Sequence, residues 1–272
     1  MNITFIGGGN MAVALIGGLI DKGHAATNFR VVEIQAEARA RLASQLGVVC
    51  MEGVAAAMPL GEVVLLAVKP QQMRAAAGAL RPLLAGELVI TIAAGIRLGD
   101  LSRWLGGHRA VVRCMPNTPA LIGAGITGLY ASAEVGAEQR ALAESILGAV
   151  GSTIWVAEES MLDSVTAISG SGPAYVFYFI EAMQQSAQEM GFSAADARKL
   201  ALETFLGAAK LAAHSQEDVA LLRERVTSKG GTTASALASM NADRIKDHIV
   251  RALHAARQRS QELGDQLGKD GE

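Results

Sequence analysis

Residues 2–12 read NITFIGGGNMA, and how that stretch divides decides the fold. Asn2 to Ile6 is a short apolar run, and Met11 to Leu19 is an apolar segment of helical length, so the glycines between them join a strand to a helix. In that setting Gly7, Gly9 and Ala12 take the three small-residue positions of a GxGxxG/A fingerprint. Gly7 permits a tight turn, Gly9 leaves no side chain in the path of a pyrophosphate, and Ala12 lets the helix lie close to the strand. Strand, turn and helix in this order point to a dinucleotide bound at a helix N-terminus, with a purely structural glycine turn as the competing reading. The expected lining runs from Ile6 through Gly7, Gly8, Gly9, Asn10 and Met11 to Ala12.

Working outward, Val31 to Ile34, Val63 to Val68, Leu88 to Gly95 and Ala110 to Met115 are further apolar runs separated by helix-like segments such as Ala36 to Leu46. Near-continuous apolar strands are those buried on both faces, as in a parallel sheet covered by helices. The fold class expected is therefore α/β: an N-terminal Rossmann-like doubly wound parallel sheet over residues 1–160. Beyond Met161 the strand signals stop. After SGSGP (Ser169 to Pro173), Val176, Ile180, Met183, Ala187 and Met190 recur at helical spacing. Ala194 to Ala213 is apolar on more than one side, which suits a helix buried between layers or between subunits. A last amphipathic helix is expected over Ala242 to Leu263, with a frayed polar tail after Gly264. Residues 161–272 thus read as an all-α substrate and dimerisation domain.

Composition narrows the chemistry. The 272 residues carry 24 basic and 26 acidic side chains, a net charge of -2 that offers no case for nucleic acid or an anionic membrane surface. The chain is 50% hydrophobic but only 4% aromatic, so its core is aliphatic and suits close helix packing. Cys50 and Cys114 are too few for a zinc site or a CxxC pair, and none of the five histidines has paired-ligand spacing; no metal is expected. The start MNITFIGGGN lacks a signal peptide's basic region, and the uncharged stretch from Ser164 to Ile180 is broken by SGSGP, so a cytoplasmic protein without a membrane span is expected.

Further candidates fall where strands end, the edge at which open parallel sheets bind ligands. Glu33 stands at the end of the second strand, where a carboxylate accepts from a ribose 2′-hydroxyl and favours NAD; a solvated glutamate is the alternative, and Arg39 or Arg41 would have to compensate a 2′-phosphate. Ala67, Val68, Lys69 and Pro70 follow one strand, and Ala93, Ala94 and Gly95 close another. Lys69 would contact a phosphate or carboxylate, or simply face water. In Met115 to Pro119, two prolines hold Asn117 in an extended loop where it could orient a nicotinamide amide. Near the C-terminus, VTSKGGTTASAL (Val226 to Leu237) places Ser228, Gly230, Gly231, Thr232 and Thr233 before a helical pattern. Hydroxyls and orphan N–H groups at a helix start attract a carboxylate; an ordinary cap by Thr232 or Thr233 fits the same residues. No GxSxG elbow is present. Hydride transfer from a nicotinamide to an iminium needs placement and substrate recognition rather than a protein nucleophile.

Taken together, IGGGNMA, LAVKP, AAG, RCMPNTP, SGSGPAY and VTSKGGTT resemble the pyrroline-5-carboxylate reductase family, in family order from about Ile3 to Arg259. The resemblance implies reduction of 1-pyrroline-5-carboxylate to L-proline, the last step of proline biosynthesis, with NADPH or NADH. It implies that Ser228, Gly231 and Thr232 hold the substrate carboxylate and that Thr233 bonds the ring nitrogen. It also implies a homodimer, within a larger ring such as a decamer. Members generally prefer NADPH, and Glu33-Ile34-Gln35 departs from the small polar or basic residues usual after the second strand. The rivals are a β-hydroxyacid-type dehydrogenase, against which the lysine-free VFYFIEAMQQ after SGSGPAY counts, and a non-catalytic dinucleotide-binding scaffold.

Overall fold

The structure, a computed structural model, describes residues 1–269. β1 (Ile3–Ile6) leads through the glycine turn into α1 (Asn10–Asp21), followed by β2 (Phe29–Val32), α2 (Ala36–Leu46) and β3 (Val49–Met51). The next elements are β4 (Val63–Leu66), α3 (Met73–Leu80), β5 (Leu88–Thr91), α4 (Leu98–Trp104) and β6 (Val111–Met115). β7 (Gly125–Ala131), α5 (Ala137–Leu147) and β8 (Gly151–Trp155) complete an eight-stranded sheet of order β3-β2-β1-β4-β5-β6-β7-β8. Its pairings are parallel except that of β6 with β7, which is antiparallel, with Cys114 opposite Leu129.

Alternate residues of the central strands feed two separate cores. Phe5, Val31, Leu65 and Ile90 pack with Leu15, Ile16, Leu42 and Ile146 on one face. Val32, Val64, Leu66 and Val89 pack with Met73, Ala77, Leu80 and Leu101 on the other. Helices on both faces are why these strands are apolar at most positions, each buried large side chain contributing about 1.5–3 kcal/mol. Phe5 and Phe29 meet edge-to-face, ring centroids 6.2 Å apart. Among the buried polar side chains, Thr4 accepts from the Gly61 N–H at 2.9 Å. Burial also pushes the Cys114 thiol far up from its ordinary pKa, so it behaves as a small apolar side chain.

The helical part holds α6 (Met161–Val165), a π-helical turn over Thr166–Gly170, α7 (Gly172–Glu189), α8 (Ala194–His214), α9 (Val219–Arg225), α10 (Thr232–Ala242) and α11 (Ile245–Leu267). Ser193 caps α8 by accepting from the Asp196 N–H at 3.1 Å, and Asp218 caps α9 by accepting from Ala220 at 2.7 Å. The chain forms two compact units: Met1–Ser171 with the residues from Ala256 onward, and Gly172–Ala255. Among the described residues no helix is long and apolar enough to cross a membrane.

Several expectations need adjusting. The second strand ends at Val32, leaving Glu33 just beyond it, and β3, β7 and β8 were not among the expected strands. The helix expected from Ala242 starts at Ile245: Ala242 closes α10, and Arg244, at φ 52, separates α10 from α11. Of the frayed tail expected after Gly264, residues 270–272 lie outside the described residues. Gly264 itself starts no fraying. It is buried, α11 continues to Leu267, and Ser260 donates to Asp163 Oδ1 at 2.7 Å while Arg97 pairs with Asp265 at 2.6 Å.

Candidate functional site

The glycine turn is built by three different constraints. Gly7, at φ +99, donates its N–H to Val32 O at 2.8 Å, and a Cβ on it would lie 2.8 Å from Ala67 O. A side chain there is excluded both by backbone conformation and by the β4 terminus. On Gly8 a Cβ would run into Leu42 Cδ1, so this glycine admits α2. Gly9 differs: a Cβ there would meet nothing within 4 Å. Its freedom from neighbours leaves open space at the start of α1, which no side chain caps, so the first N–H groups of the helix keep their unfilled donors. Ala12 is fully buried beneath them. These residues fit a dinucleotide pyrophosphate: open space over Gly9, orphan donors and the positive end of a helix dipole.

Beside this turn the Glu33 carboxylate accepts from the Gly8 N–H at 3.1 Å and from the Gln35 N–H at 2.9 Å. The Arg39 guanidinium donates to the carbonyls of Glu33 and Ile34, each at 2.8 Å. The structure thus brings Gly7–Ala12, Glu33 and Ala67–Val68 together at the C-terminal ends of β1, β2 and β4, with Lys69 exposed and Pro70 opening a 3-10 turn. Ala93 to Gly95 follow β5 at the same edge, where Gly95 is buried with a Cβ position 3.0 Å from Leu267 Cδ1.

Asn117 is placed differently from a free nicotinamide partner. Its Oδ1 accepts from the Ile126 N–H at 3.0 Å, and its Nδ2 donates to Ser169 O at 3.3 Å and Oγ at 3.4 Å. It ties RCMPNTP to the π-helical turn of SGSGP. Gly170 makes that approach possible, since a Cβ would sit 2.6 Å from Met115 Cε. A π-turn inside a helical stretch often accompanies a functional site, and nothing in the spacing of SGSGP disclosed it. The sequence reading also missed Arg113 and Glu159. Arg113, its side chain 6% exposed, pairs with Glu159 Oε1 at 2.9 Å, and the same oxygen accepts the Leu98 N–H at 2.7 Å. One carboxylate therefore joins β6 to the start of α4. An arginine inside an apolar strand was the signal that could have found it.

Within the second unit, α10 begins with Gly231 as its N-cap, so Thr232 and Thr233 are the first two helical residues, neither of them the cap. No side chain caps this helix. Gly230 turns the chain at φ +74, Gly231 donates to Ser228 O at 3.0 Å, and a Cβ on Gly231 would lie 2.5 Å from Ser228 Oγ. The Ser228 hydroxyl is thereby held against the helix start. A hydroxyl, uncapped N–H donors and a dipole end converge there, a set that suits a carboxylate.

Residues 159–263 match the model described as pyrroline-5-carboxylate reductase dimerisation, and residues 2–95 match that described as NADP oxidoreductase, coenzyme F420-dependent. A pyrroline-5-carboxylate reductase of Pseudomonas aeruginosa is 47% identical over 268 residues, 98% of either chain. The solved pyrroline-5-carboxylate reductase of Coxiella burnetii is 39% identical, with a TM-score of 0.90 over 96% of this chain and 98% of that one. The pyrroline carboxylate reductase of Plasmodium falciparum, solved with NADP bound, is 27% identical, with a TM-score of 0.87 over 97% of this chain and 98% of the other.

Proposed function

The chain belongs to the pyrroline-5-carboxylate reductase family, and we propose that it reduces 1-pyrroline-5-carboxylate to L-proline, holding the imino acid at the start of α10. The observation that carries the placement is the uncapped, donor-rich turn from Ser228 to Thr233. The substrate is a small ring bearing one carboxylate and one imine, and it needs an anion site with a hydrogen-bonding group nearby. Ser228, with Gly230, Gly231 and Thr232, supplies hydroxyls and N–H donors for the carboxylate, and Thr233 places a hydroxyl for the ring nitrogen. The nucleotide is held by Ile6 to Ala12, Ala67 to Pro70 and Ala93 to Gly95, with Glu33 toward its ribose. Asn117 supports this edge by fixing Ser169.

Bound NAD(P)H supplies the hydride for the imine carbon, and a proton on the ring nitrogen completes the secondary amine. The protein's contribution is binding, orientation and exclusion of water, and no residue need form a covalent intermediate. The family's dimerisation module covers the helical region, and the second unit shows why a partner is needed. Among the described residues, its buried apolar side chains in the single chain are Ile180, Ala197 and Ala201, whereas Phe177, Tyr178, Met190, Leu200 and Leu211 are exposed. That surface fits a homodimer, and we extend this reading to a larger ring such as a decamer acting in the cytoplasm.

Thr233→Ala tests the assignment. The kcat/KM for 1-pyrroline-5-carboxylate should fall about 10- to 100-fold, the worth of a hydrogen bond to a charged group, while nucleotide affinity stays within about twofold. Turnover equal to wild type would remove Thr233 from the substrate site.

A further inference from the structure

Glu33 follows the last residue of β2, and its carboxylate is fixed by two backbone donors, Gly8 at 3.1 Å and Gln35 at 2.9 Å. A carboxylate has about four lone-pair sites, so two remain for a ligand's hydroxyls. The group is tied directly to the glycine turn, at the position where a Rossmann-type sheet meets the adenosine ribose. A 2′-phosphate arriving there would need a cation, and the nearest one is committed. Arg39 is engaged by the Glu33 and Ile34 carbonyls at 2.8 Å and lies 3.7 Å from the Glu52 carboxylate. Arg41, two residues on, projects from a different side of α2 than Arg39. The first turn of that helix adds another acid, Glu37.

We propose that Glu33 makes this chain select NADH over NADPH, its fixed carboxylate accepting from the ribose hydroxyls and repelling a 2′-phosphate. The proposal rests on the placement of the dinucleotide at Gly7–Ala12. Swinging the carboxylate aside to admit the phosphate would break its hydrogen bonds from Gly8 and Gln35, and turning Arg39 toward the phosphate would break that side chain's bonds to the Glu33 and Ile34 carbonyls.

The test is titration of the wild-type protein with NADH and with NADPH, read by nicotinamide fluorescence in the absence of imino acid, beside turnover with each. NADH should bind at least about tenfold more tightly than NADPH, a difference of about 1.4 kcal/mol. Glu33→Gln should narrow the ratio, chiefly by tightening NADPH. Gln35→Arg, which leaves the backbone donor to Glu33 in place, should narrow it as well. Equal or tighter NADPH binding by the wild type, or ratios unmoved by both substitutions, would overturn the proposal. Failure to bind either nucleotide would overturn it together with the site. The predicted binding ratio without reduction of 1-pyrroline-5-carboxylate would uphold nucleotide selection and count against the proposed reaction alone.

Discussion

Gly7, Gly8 and Gly9 stand side by side and do different work. The first two are fixed by neighbours, the Ala67 carbonyl and Leu42, so Gly8→Val should lower the melting temperature by clashing with α2. Gly9 has no such neighbour. Gly9→Val should therefore leave the fold nearly intact, at a cost of about 1 kcal/mol for the poorer cap, while eliminating nucleotide binding. Calorimetric titration beside a melting curve separates the two effects, and retained binding would take Gly9 out of the site. Arg113 predicts the opposite pattern. Arg113→Met would leave the Glu159 carboxylate without its cation, and unfolding in urea should show a loss of about 2–3 kcal/mol, below the range for full burial because Glu159 is 27% exposed. The glycine fingerprint and Glu33 were legible as candidates because residue type and position at strand ends mark them, although Gly7 and Gly8 meet their neighbours on β2, α2 and the end of β4. Asn117 was readable only as a residue of interest. Its amide is consumed by Ile126 and by Ser169, the latter 52 residues along the chain, and no local pattern announces such a partner.

Helices and strands repeat this lesson. β1, β4, β5 and β6 are near-continuous apolar runs because both faces are covered, and α2 was expected over the very span it occupies, Ala36–Leu46. β7 was not among the expected strands, and Gly125 and Gly128 interrupt its apolar residues. Gly128 is required by packing, since a Cβ would lie 2.8 Å from Val165 Cγ1 of α6. β8 is an edge strand with Ser152 and Ile154 exposed, and β3 spans three residues, so neither carries a buried-strand signature. In α8 the pattern predicted burial on more than one side, whereas a single chain leaves Leu206 49% exposed, and Phe177 of α7 is 65% exposed. The mismatch is the mark of a missing subunit. Phe177→Asp combined with Leu206→Asp should shift the mass measured by light scattering to that of a monomer while circular dichroism keeps its helical signal. An unchanged mass would place the subunit contact elsewhere.

The chain as a folded unit combines a sheet that accounts for itself with a helical unit that does not. The first has two cores and satisfied polar groups; the second has few buried apolar side chains of its own and an uncapped helix start, features that call for a partner and a ligand. The expected division at 160/161 was drawn where strand signals stop. The compact units part after Ser171, and the end of α11 belongs with the sheet, held by Arg97 to Asp265 and Ser260 to Asp163. Contacts of that kind close over long separations, which hydrophobic periodicity does not record. The reaction itself is open to one decisive measurement: the purified protein incubated with 1-pyrroline-5-carboxylate and reduced nicotinamide nucleotide, with proline quantified by chromatography against nucleotide oxidised. The predicted result is proline formed in equal amount to the nucleotide consumed, with no oxidation when the imino acid is left out. Nucleotide oxidation without proline, or no oxidation with either NADH or NADPH, would contradict it.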